Sequence, residues 1–281
     1  MPRRRQFETR ISNGGLLAYP GGDRDRWEHD MFGGAYTGVI GRPIYGALNL
    51  AGHPDGAAPR FGSCHLVLAA GVPARSTFCH GDSHLGPAAV GTADAFGAIR
   101  AALIDEVART GQALGVPAPT VGSPPGWETV LAARRAALQH SLDDPSRHPL
   151  RGHAPGRTLD DYVEAQIHGG LTLSDDVTAI VADPSFQGTP TEAHLASLGI
   201  PLHWHAGFTL AAADVPADLR GPEVPPLARR IATRHRRPDL DAELIGRAAR
   251  AAATDPHRLQ LIKYLWHLLV LLGRPAHQSR H

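Results

Sequence analysis

The chain has 281 residues, of which 42% are hydrophobic, so it is long enough to bury a core in one large domain or two small ones. Its 28 basic and 27 acidic residues leave a net charge of +1, which gives no overall electrostatic argument for binding nucleic acid or an anionic membrane. Two cysteines, Cys64 and Cys79, exclude a disulfide framework and a CxxC zinc site, and a reducing, cytoplasmic compartment is expected.

Neither end of the sequence predicts a membrane segment. The first ten residues, MPRRRQFETR, are basic, but no apolar stretch follows them as it would in a secretory signal. The longest apolar run, LIKYLWHLLVLLG near the end, is interrupted by Lys263 and His267 and is too short to span a bilayer.

The first half of the chain predicts short strands followed by helices. Residues 6–50 are rich in glycine and aromatic residues, which favours a β-rich beginning with many loops. RFGSCHLVL predicts a half-buried strand with Ser63 and His65 on its polar side. Residues 93–115 and 127–142 have helical spacing of apolar residues and are separated by a Pro/Gly linker.

The second half returns to strands and ends in helices. YVEAQIH predicts a strand with Glu164, Gln166 and His168 on one face and apolar residues on the other. IPLHWHAGFTL predicts a further strand, and residues 225–273 predict three helices broken at RRPD and TDPHR. Strands and helices grouped in this way predict an α+β fold. The expected organisation is a β-rich domain at 1–222, with a helical insertion near 93–158, and a C-terminal helical segment at 223–281.

Two polar strand faces supply the first candidate site. If the strand of Glu164, Gln166 and His168 lies beside that of Ser63 and His65, these side chains line one cleft. A carboxylate there would stabilise developing positive charge, and the hydroxyl and imidazole groups would position a substrate. The alternative is a solvated strand face, which antiparallel sheets commonly have.

A glycine-dense segment, NGGLLAYPGGDRDRWE, supplies a second candidate. Glycines allow backbone amides to approach a ligand closely, an arginine can hold a phosphate, and a tryptophan offers a surface for stacking. The segment matches neither GxGxxG nor a P-loop, and the alternative is a structural turn. The candidate ligand contacts are Ser12, Asn13, Gly14, Arg24, with Arg26 as its alternative, and Trp27.

Histidines and an aspartate suggest a metal site as a third candidate. His80, Asp82 and His84 alternate in CHGDSHLG, and His203 and His205 occur in HWH. Imidazole and carboxylate are suitable ligands for zinc or iron. No recognised spacing such as HExxH occurs among the 17 histidines, so no metal is predicted.

Several phrases of the sequence resemble a family of bacterial proteins catalogued only as a domain of unknown function. They are QFET, SNGGL, AYPGGDRDRWE, YGALNL, RFGSCHLVL, YVEAQIHG, DPSF and LIKYLWHLLVLLG. The resemblance covers nearly the whole chain. It identifies a family without bringing an established activity.

The order of motifs also resembles, more remotely, that of ADP-ribosyltransferases. Their split β-sheet holds NAD between an arginine or histidine on a first strand, a middle strand with serine or tyrosine, and a later strand with the catalytic glutamate. The resemblance implies Arg4, or alternatively Arg10, on the first strand, and Glu164 as the essential carboxylate. The implied middle residues are Tyr45, Ser63 and His65.

This resemblance implies a substrate and a reaction. NAD would lose nicotinamide, and the nearby carboxylate would stabilise the oxocarbenium-like ribose. An arginine would grip the pyrophosphate, Trp27 or Tyr45 would pack on the nicotinamide ring, and Gln166 and His168 would contribute to the nucleotide site. The resemblance does not specify the acceptor of ADP-ribose. It also implies a role as a toxin or effector.

Two other functions remain open at this point. One is a metal-dependent hydrolase that uses some of the histidines and Asp82, and the other is a non-catalytic nucleotide-binding module. The candidate ligands of the hydrolase are His65, His80, Asp82, His84, His203 and His205.

Overall fold

The computed structural model describes residues 21–36, 41–119, 124–144, 150 and 157–276, and its chain divides into two compact units. The first unit comprises Met1–Gly52, Leu66–Ala137 and Asp160–Thr178, and the second comprises His53–His65, Leu138–Leu159 and Ala179–His281. The predicted boundary near residue 222 falls inside the second unit. Within the described ranges, no helix is both long enough and apolar enough to cross a membrane.

Helices and short strands both recur along the chain. The described ranges contain eight α-helices: α1 (Asp23–Met31), α2 (Gly97–Thr110), α3 (Pro124–Asp143), α4 (Leu173–Asp176), α5 (Pro190–Ala196), α6 (Val224–His235), α7 (Ala242–Ala251) and α8 (Pro256–Leu272). They also contain eleven strands: β1 (Ile44–Leu48), β2 (His65–Leu68), β3 (Ser76–His80), β4 (Val90–Thr92), β5 (Gln112–Ala113), β6 (Val116–Pro117), β7 (Val163–Ile167), β8 (Val177–Ala182), β9 (Leu202–Trp204), β10 (Leu210–Ala211) and β11 (Asp239–Leu240). The predicted α+β class is confirmed.

The first unit is built on an antiparallel sheet with strand order β1-β7-β3-β4. Its central strand is the predicted one that carries Glu164. The apolar face of β7 presents Val163 and Ala165, which pack in one cluster with Phe78 from β3. Leu103 of α2 and Trp127 of α3 belong to the same cluster, so both helices cover this face.

The segment around Arg24 forms a helix, α1, where a glycine-dense loop or turn was expected. Asp23 and Asp25 lie in its first turn and His29 in its last. This order favours a helix because acidic side chains stabilise the positive end of the helix dipole and basic side chains stabilise its negative end. Arg24 and Glu28 add an i,i+4 ion pair within the helix. The glycines before α1 dominated the prediction, and the helical charge pattern was missed.

The second unit contains the C-terminal helices predicted from residue 225. The helices α6, α7 and α8 are separated at the predicted breaks, and each buries an apolar face in a shared core. This core includes Leu227 of α6, Leu244 of α7 and Leu265 of α8, together with Phe208 and Leu210. In the same unit, β8 and β9 pair in parallel.

Candidate functional site

The face of the four-stranded sheet opposite the apolar cluster carries polar side chains. Glu164 on β7 lies between Ala47 of β1 and Cys79 of β3 in the strand register. One step along the same face, Gln166 lies between Tyr45 and Thr77. The predicted alternation of β7 is therefore present, but Glu164 is only 5% exposed and Gln166 is fully buried. This polar face is not a solvated one.

Glu164 is a buried carboxylate whose hydrogen-bond donors, within the described part of the chain, are neutral groups. Gln166 Nε2 donates to its Oε1 at 2.8 Å. The backbone and hydroxyl of Ser83 lie close enough to favour the ionised form, although the buried Ser83 hydroxyl has no partner in hydrogen-bond geometry among the described residues. Burial is the largest effect, and it raises the pKa of Glu164 above its usual value, with Asp82 adding to the rise.

A chain of hydrogen bonds leads to Glu164 across the sheet. His168 bonds Tyr36 through Nδ1 and Thr77 through Nε2, the latter at 3.0 Å. Thr77 donates its hydroxyl hydrogen to Gln166 Oε1 at 2.9 Å, so His168 must donate its Nε2–H to that hydroxyl and accept from Tyr36. Burial lowers the pKa of His168, which favours this neutral tautomer. We call the five residues, Tyr36, His168, Thr77, Gln166 and Glu164, the relay.

The relay fixes the orientation of Gln166, because each of its amide atoms has a partner. Its oxygen accepts from Thr77, and its nitrogen donates to Glu164 and contacts Cys79 Sγ at 3.4 Å. The opposite orientation would place amide hydrogens against the Thr77 donor and an oxygen against the carboxylate. Gln166 therefore holds Glu164 Oε1 in place.

A second buried carboxylate, Glu28 on α1, is fully neutralised. Arg24 Nε donates to its Oε1 at 2.6 Å and Tyr45 donates to the same atom at 2.9 Å. Arg42 Nη1 donates to Oε2 at 2.5 Å and its Nη2 pairs with Asp25, so both Glu28 oxygens are occupied and two arginines balance two carboxylates. Arg24 Cζ also lies 4.6 Å from the centre of the Tyr45 ring, which places α1 over the polar face.

Aromatic rings surround the polar face on the side of α1. Tyr36 stacks on His168 with ring centres 5.8 Å apart, and Phe32 meets the same imidazole edge-on at 5.3 Å. Trp27 contacts His84, which lies in the short turn that also contains Ser83. Glu164 thus lies on the face that α1 and its following turn cover.

The strand that contains Glu164, β7, ends at Ile167, one residue before the predicted end at His168. Gly169 and Gly170 have φ values of +78° and +79°, a region that residues with a Cβ rarely adopt. Arg75 Nη1 donates to the carbonyl groups of His168 and Gly170, at 2.7 and 2.5 Å. This arrangement anchors the end of β7 and the backbone of His168.

The strands of Glu164 and His65 are not neighbours. The hydrogen-bonded neighbours of β7 are β1 and β3, whereas β2 belongs to the sheet that contains β8. The condition under which Ser63 and His65 were expected to line a cleft with Glu164 is therefore not met. The register partners of Glu164, Ala47 and Cys79, lie 117 and 85 residues earlier in the sequence. Strand periodicity alone does not predict such distant pairings.

Ser63 and His65 are half-buried and lie in the second unit. His205 Nε2 donates to the backbone carbonyl of Ser63 at 2.7 Å, while its Nδ1 accepts from Gly207 N at 2.9 Å. Burial, and then the nearby His205, lower the pKa of His65 to about 4, so this imidazole is neutral at pH 7. Asp183 is fully buried, and burial raises its pKa.

The predicted metal ligands of the first unit have other partners. His80 Nε2 bonds Glu106 at 3.1 Å, and His84 Nδ1 bonds Asp82 at 2.7 Å. Within the part of the chain that the structure describes, no three or more His, Cys, Asp or Glu residues form a group that could hold a metal ion. His203 and His205 lie on or next to β9 in the second unit.

The structure thus brings part of the predicted site together. Arg24, Trp27, Tyr45, Gln166 and His168 lie in the first unit with Glu164. Several residues of the polar face were missed by sequence reasoning, and only Glu28 had a signal, its i,i+4 spacing from Arg24. The predicted residues that lie outside the described ranges are Arg4, Arg10, Ser12, Asn13 and Gly14. The missed residues are Glu28, Tyr36, Arg42, Thr77 and Ser83.

We predict that Thr77→Val lowers the free energy of unfolding by about 1–3 kcal/mol. Valine keeps the shape of threonine but leaves the fully buried Gln166 oxygen without a donor, a loss that has this order of cost, and it also removes the acceptor of the half-buried His168 Nε2–H. Chemical denaturation measures the change. Thr92→Val is the matched control, because Thr92 pairs with Thr77 across β3 and β4 but is exposed. Equal losses in both variants would contradict the relay.

We also predict a pH-dependent stability effect of Glu164. Its pKa is raised in the folded protein, so its contribution to stability is fully present below the unfolded pKa and is lost as pH rises through the folded pKa. Glu164→Gln cannot ionise, and we expect it to raise the Tm relative to wild type near pH 8 and to change it little at about pH 4. Calorimetry at both pH values measures this difference.

Glu128→Gln serves as a control of opposite sign. Arg100 lowers the pKa of the Glu128 carboxyl, so removing that charge costs a little stability at neutral pH and less in acid. A Glu164→Gln protein that melts below wild type near pH 8 would contradict the prediction.

The architecture and site define an α+β protein whose first unit holds, on a polar sheet face, a buried carboxylate that forms no ion pair with a described residue. The chain belongs to the family described as "Protein of unknown function (DUF3626)", whose sequence model matches residues 2–272. A search of curated proteins found no match. The predicted membership in a family catalogued as a domain of unknown function is confirmed, and the function has to be argued from the site.

Proposed function

We propose that the first unit is an ADP-ribosyltransferase-like enzyme that cleaves the nicotinamide–ribose bond of NAD and transfers ADP-ribose to an acceptor. The observation that carries this proposal is the state of Glu164. It is a buried carboxylate, held through Gln166 and lacking a cationic partner in ion-pair contact among the described residues.

The comparison of the two buried carboxylates favours Glu164 over Glu28 as the reacting group. A group that stabilises positive charge in a transition state must keep its own negative charge available. Arg24 and Arg42 neutralise Glu28, whereas Glu164 accepts a hydrogen bond from a neutral amide on Oε1. Glu164 is therefore the carboxylate that can balance an oxocarbenium-like ribose.

In the proposed reaction, the bond between ribose C1′ and the nicotinamide nitrogen breaks, and its electron pair leaves with nicotinamide. Positive charge develops at C1′ and is stabilised by Glu164. The hydroxyl oxygen of an acceptor, or of water, forms the new bond to C1′ and releases one proton. The other four residues of the relay hold Glu164 in place and do not exchange protons with the substrate.

The resemblance to ADP-ribosyltransferases also leads us to propose that β1, β3 and β7 correspond to their nucleotide-binding sheet. Support comes from the position of Glu164 on a central strand and from Tyr45 on the adjacent strand of the same face. Arg24 is buried and already pairs with Glu28 and the carbonyl of Pro43, so its charge is committed to the Glu28 network and we do not propose it as the pyrophosphate contact. That contact remains a prediction for Arg4 or Arg10.

Release of nicotinamide from labelled NAD tests the proposal. Purified protein is incubated with NAD alone and with a cell extract as a source of acceptors, each with and without a chelator. We expect release that is insensitive to the chelator. No release under any of these conditions would overturn the proposal, and release abolished by the chelator would favour a metal-dependent enzyme.

A further inference from the structure

A groove in the second unit is lined by arginines. It has a volume of about 770 Å³ and lies among α6, α7 and the beginning of α8. The apolar residues Ile231 and Ala248 form part of its wall. The arginines that line it are Arg229, Arg230, Arg234, Arg247 and Arg258. No acidic residue is among the lining residues, so the groove is strongly positive although the whole chain carries only +1.

Most of this charge is not balanced by ion pairs within the described chain. Arg247 bonds Glu243 at 2.7 Å, and its side chain is still 52% exposed. The other four arginines form no ion pair with a carboxylate of the described ranges, and Arg258 Nε is buried without a hydrogen-bond partner there. The negative end of the α6 dipole favours a cation at Arg234, which lies in the last turn of that helix. The dipole does not account for the positive charges of Arg229 and Arg258.

The side chains indicate a ligand rich in phosphate. Guanidinium groups bind phosphate oxygens in pairs of parallel hydrogen bonds and are more weakly hydrated than ammonium groups. Five of them can contact several phosphates, more than a single phosphate group requires. Besides the arginines, the polar residues of the lining are Thr233 and His235, so guanidinium groups dominate the contacts and phosphate is the group they favour most.

We propose that this groove binds the phosphate backbone of a single nucleic-acid strand without regard to its sequence. The volume of the groove is that of a small-molecule site, which suits one strand better than a duplex. The proposal is independent of the reaction assigned to Glu164, and it goes beyond the sequence analysis, in which the net charge of +1 gave no argument for nucleic acid.

Fluorescence anisotropy with labelled oligo-dT and oligo-rA measures this binding over a series of salt concentrations. Each phosphate contact on a single strand contributes about −0.7 to the slope of log K against log salt, so three to five contacts predict a slope of about −2 to −3.5. We expect both homopolymers to bind with similar slopes. Absence of binding at low salt would overturn the proposal.

A double variant locates the binding in the groove. Arg230→Ala with Arg234→Ala removes two exposed lining residues and is expected to reduce the slope by about 1.4. Arg109→Ala with Arg250→Ala removes two exposed arginines that do not line the groove and should leave the slope unchanged. Melting temperatures establish that both variants are folded. Equal loss in the two double variants would overturn the assignment.

Competition separates a strand from other phosphate compounds. ATP and inorganic triphosphate, at matched phosphate concentration, should displace the oligonucleotide poorly because they offer fewer phosphates in a row. Complete displacement would identify a small-ligand site and overturn the proposal. Binding of phosphatidylglycerol vesicles without oligonucleotide binding would overturn it in favour of a membrane surface.

Discussion

Glu164→Gln is expected to slow nicotinamide release from NAD by about two to four orders of magnitude, the usual effect of removing a preorganised electrostatic group. Glutamine has nearly the same shape, and its oxygen can still accept from Gln166 Nε2, so fold and ligand binding should survive. The loss should therefore appear in kcat, with KM little changed. Steady-state kinetics and a binding measurement with NAD separate the two effects.

Glu128→Gln is the control for this variant, because Glu128 lies in the same unit in an exposed pair with Arg100. Its turnover should equal that of wild type. Since ionised Glu164 is the active form, wild-type activity should also fall as pH drops through the raised pKa of this carboxyl. A Glu164→Gln protein with full turnover and a lowered Tm would show that the residue is only structural.

Glu28→Ala is expected to lower the free energy of unfolding by about 3–5 kcal/mol, because removing one member of a buried ion pair leaves the others uncompensated. Arg24, whose side chain is 11% exposed, would lose its carboxylate partner and keep only the carbonyl of Pro43, and the Tyr45 hydroxyl would lose its Glu28 acceptor. Arg42 would keep only Asp25. Denaturant titration measures the loss.

Asp23→Ala is the comparison on the same helix. Asp23 pairs with Arg26 on the exposed side of α1, with side chains 50% and 63% exposed, and such pairs contribute about 1 kcal/mol or less. A Glu28→Ala loss as small as that of Asp23→Ala would show that the Glu28 network does not hold α1 to the sheet.

The local pattern of the sequence predicted a good part of the secondary structure. The alternation in VEAQI identified β7 and the two side chains that share its polar face. The breaks at RRPD and TDPHR separated the three C-terminal helices, because proline and capping aspartates act within a few residues. α1 was missed because its charge pattern is weaker evidence than the glycines before it.

What the sequence by itself determined is this local periodicity, the α+β class and the membership in a family. Strand pairing, burial and the gathering of charges were decided by the tertiary structure, because they depend on contacts between residues far apart in the chain. Glu164 and Cys79 are register partners, and Thr77 meets Gln166, only because β7 inserts between β1 and β3. In the second unit, arginines spread from 229 to 258 form one groove only when three helices pack together.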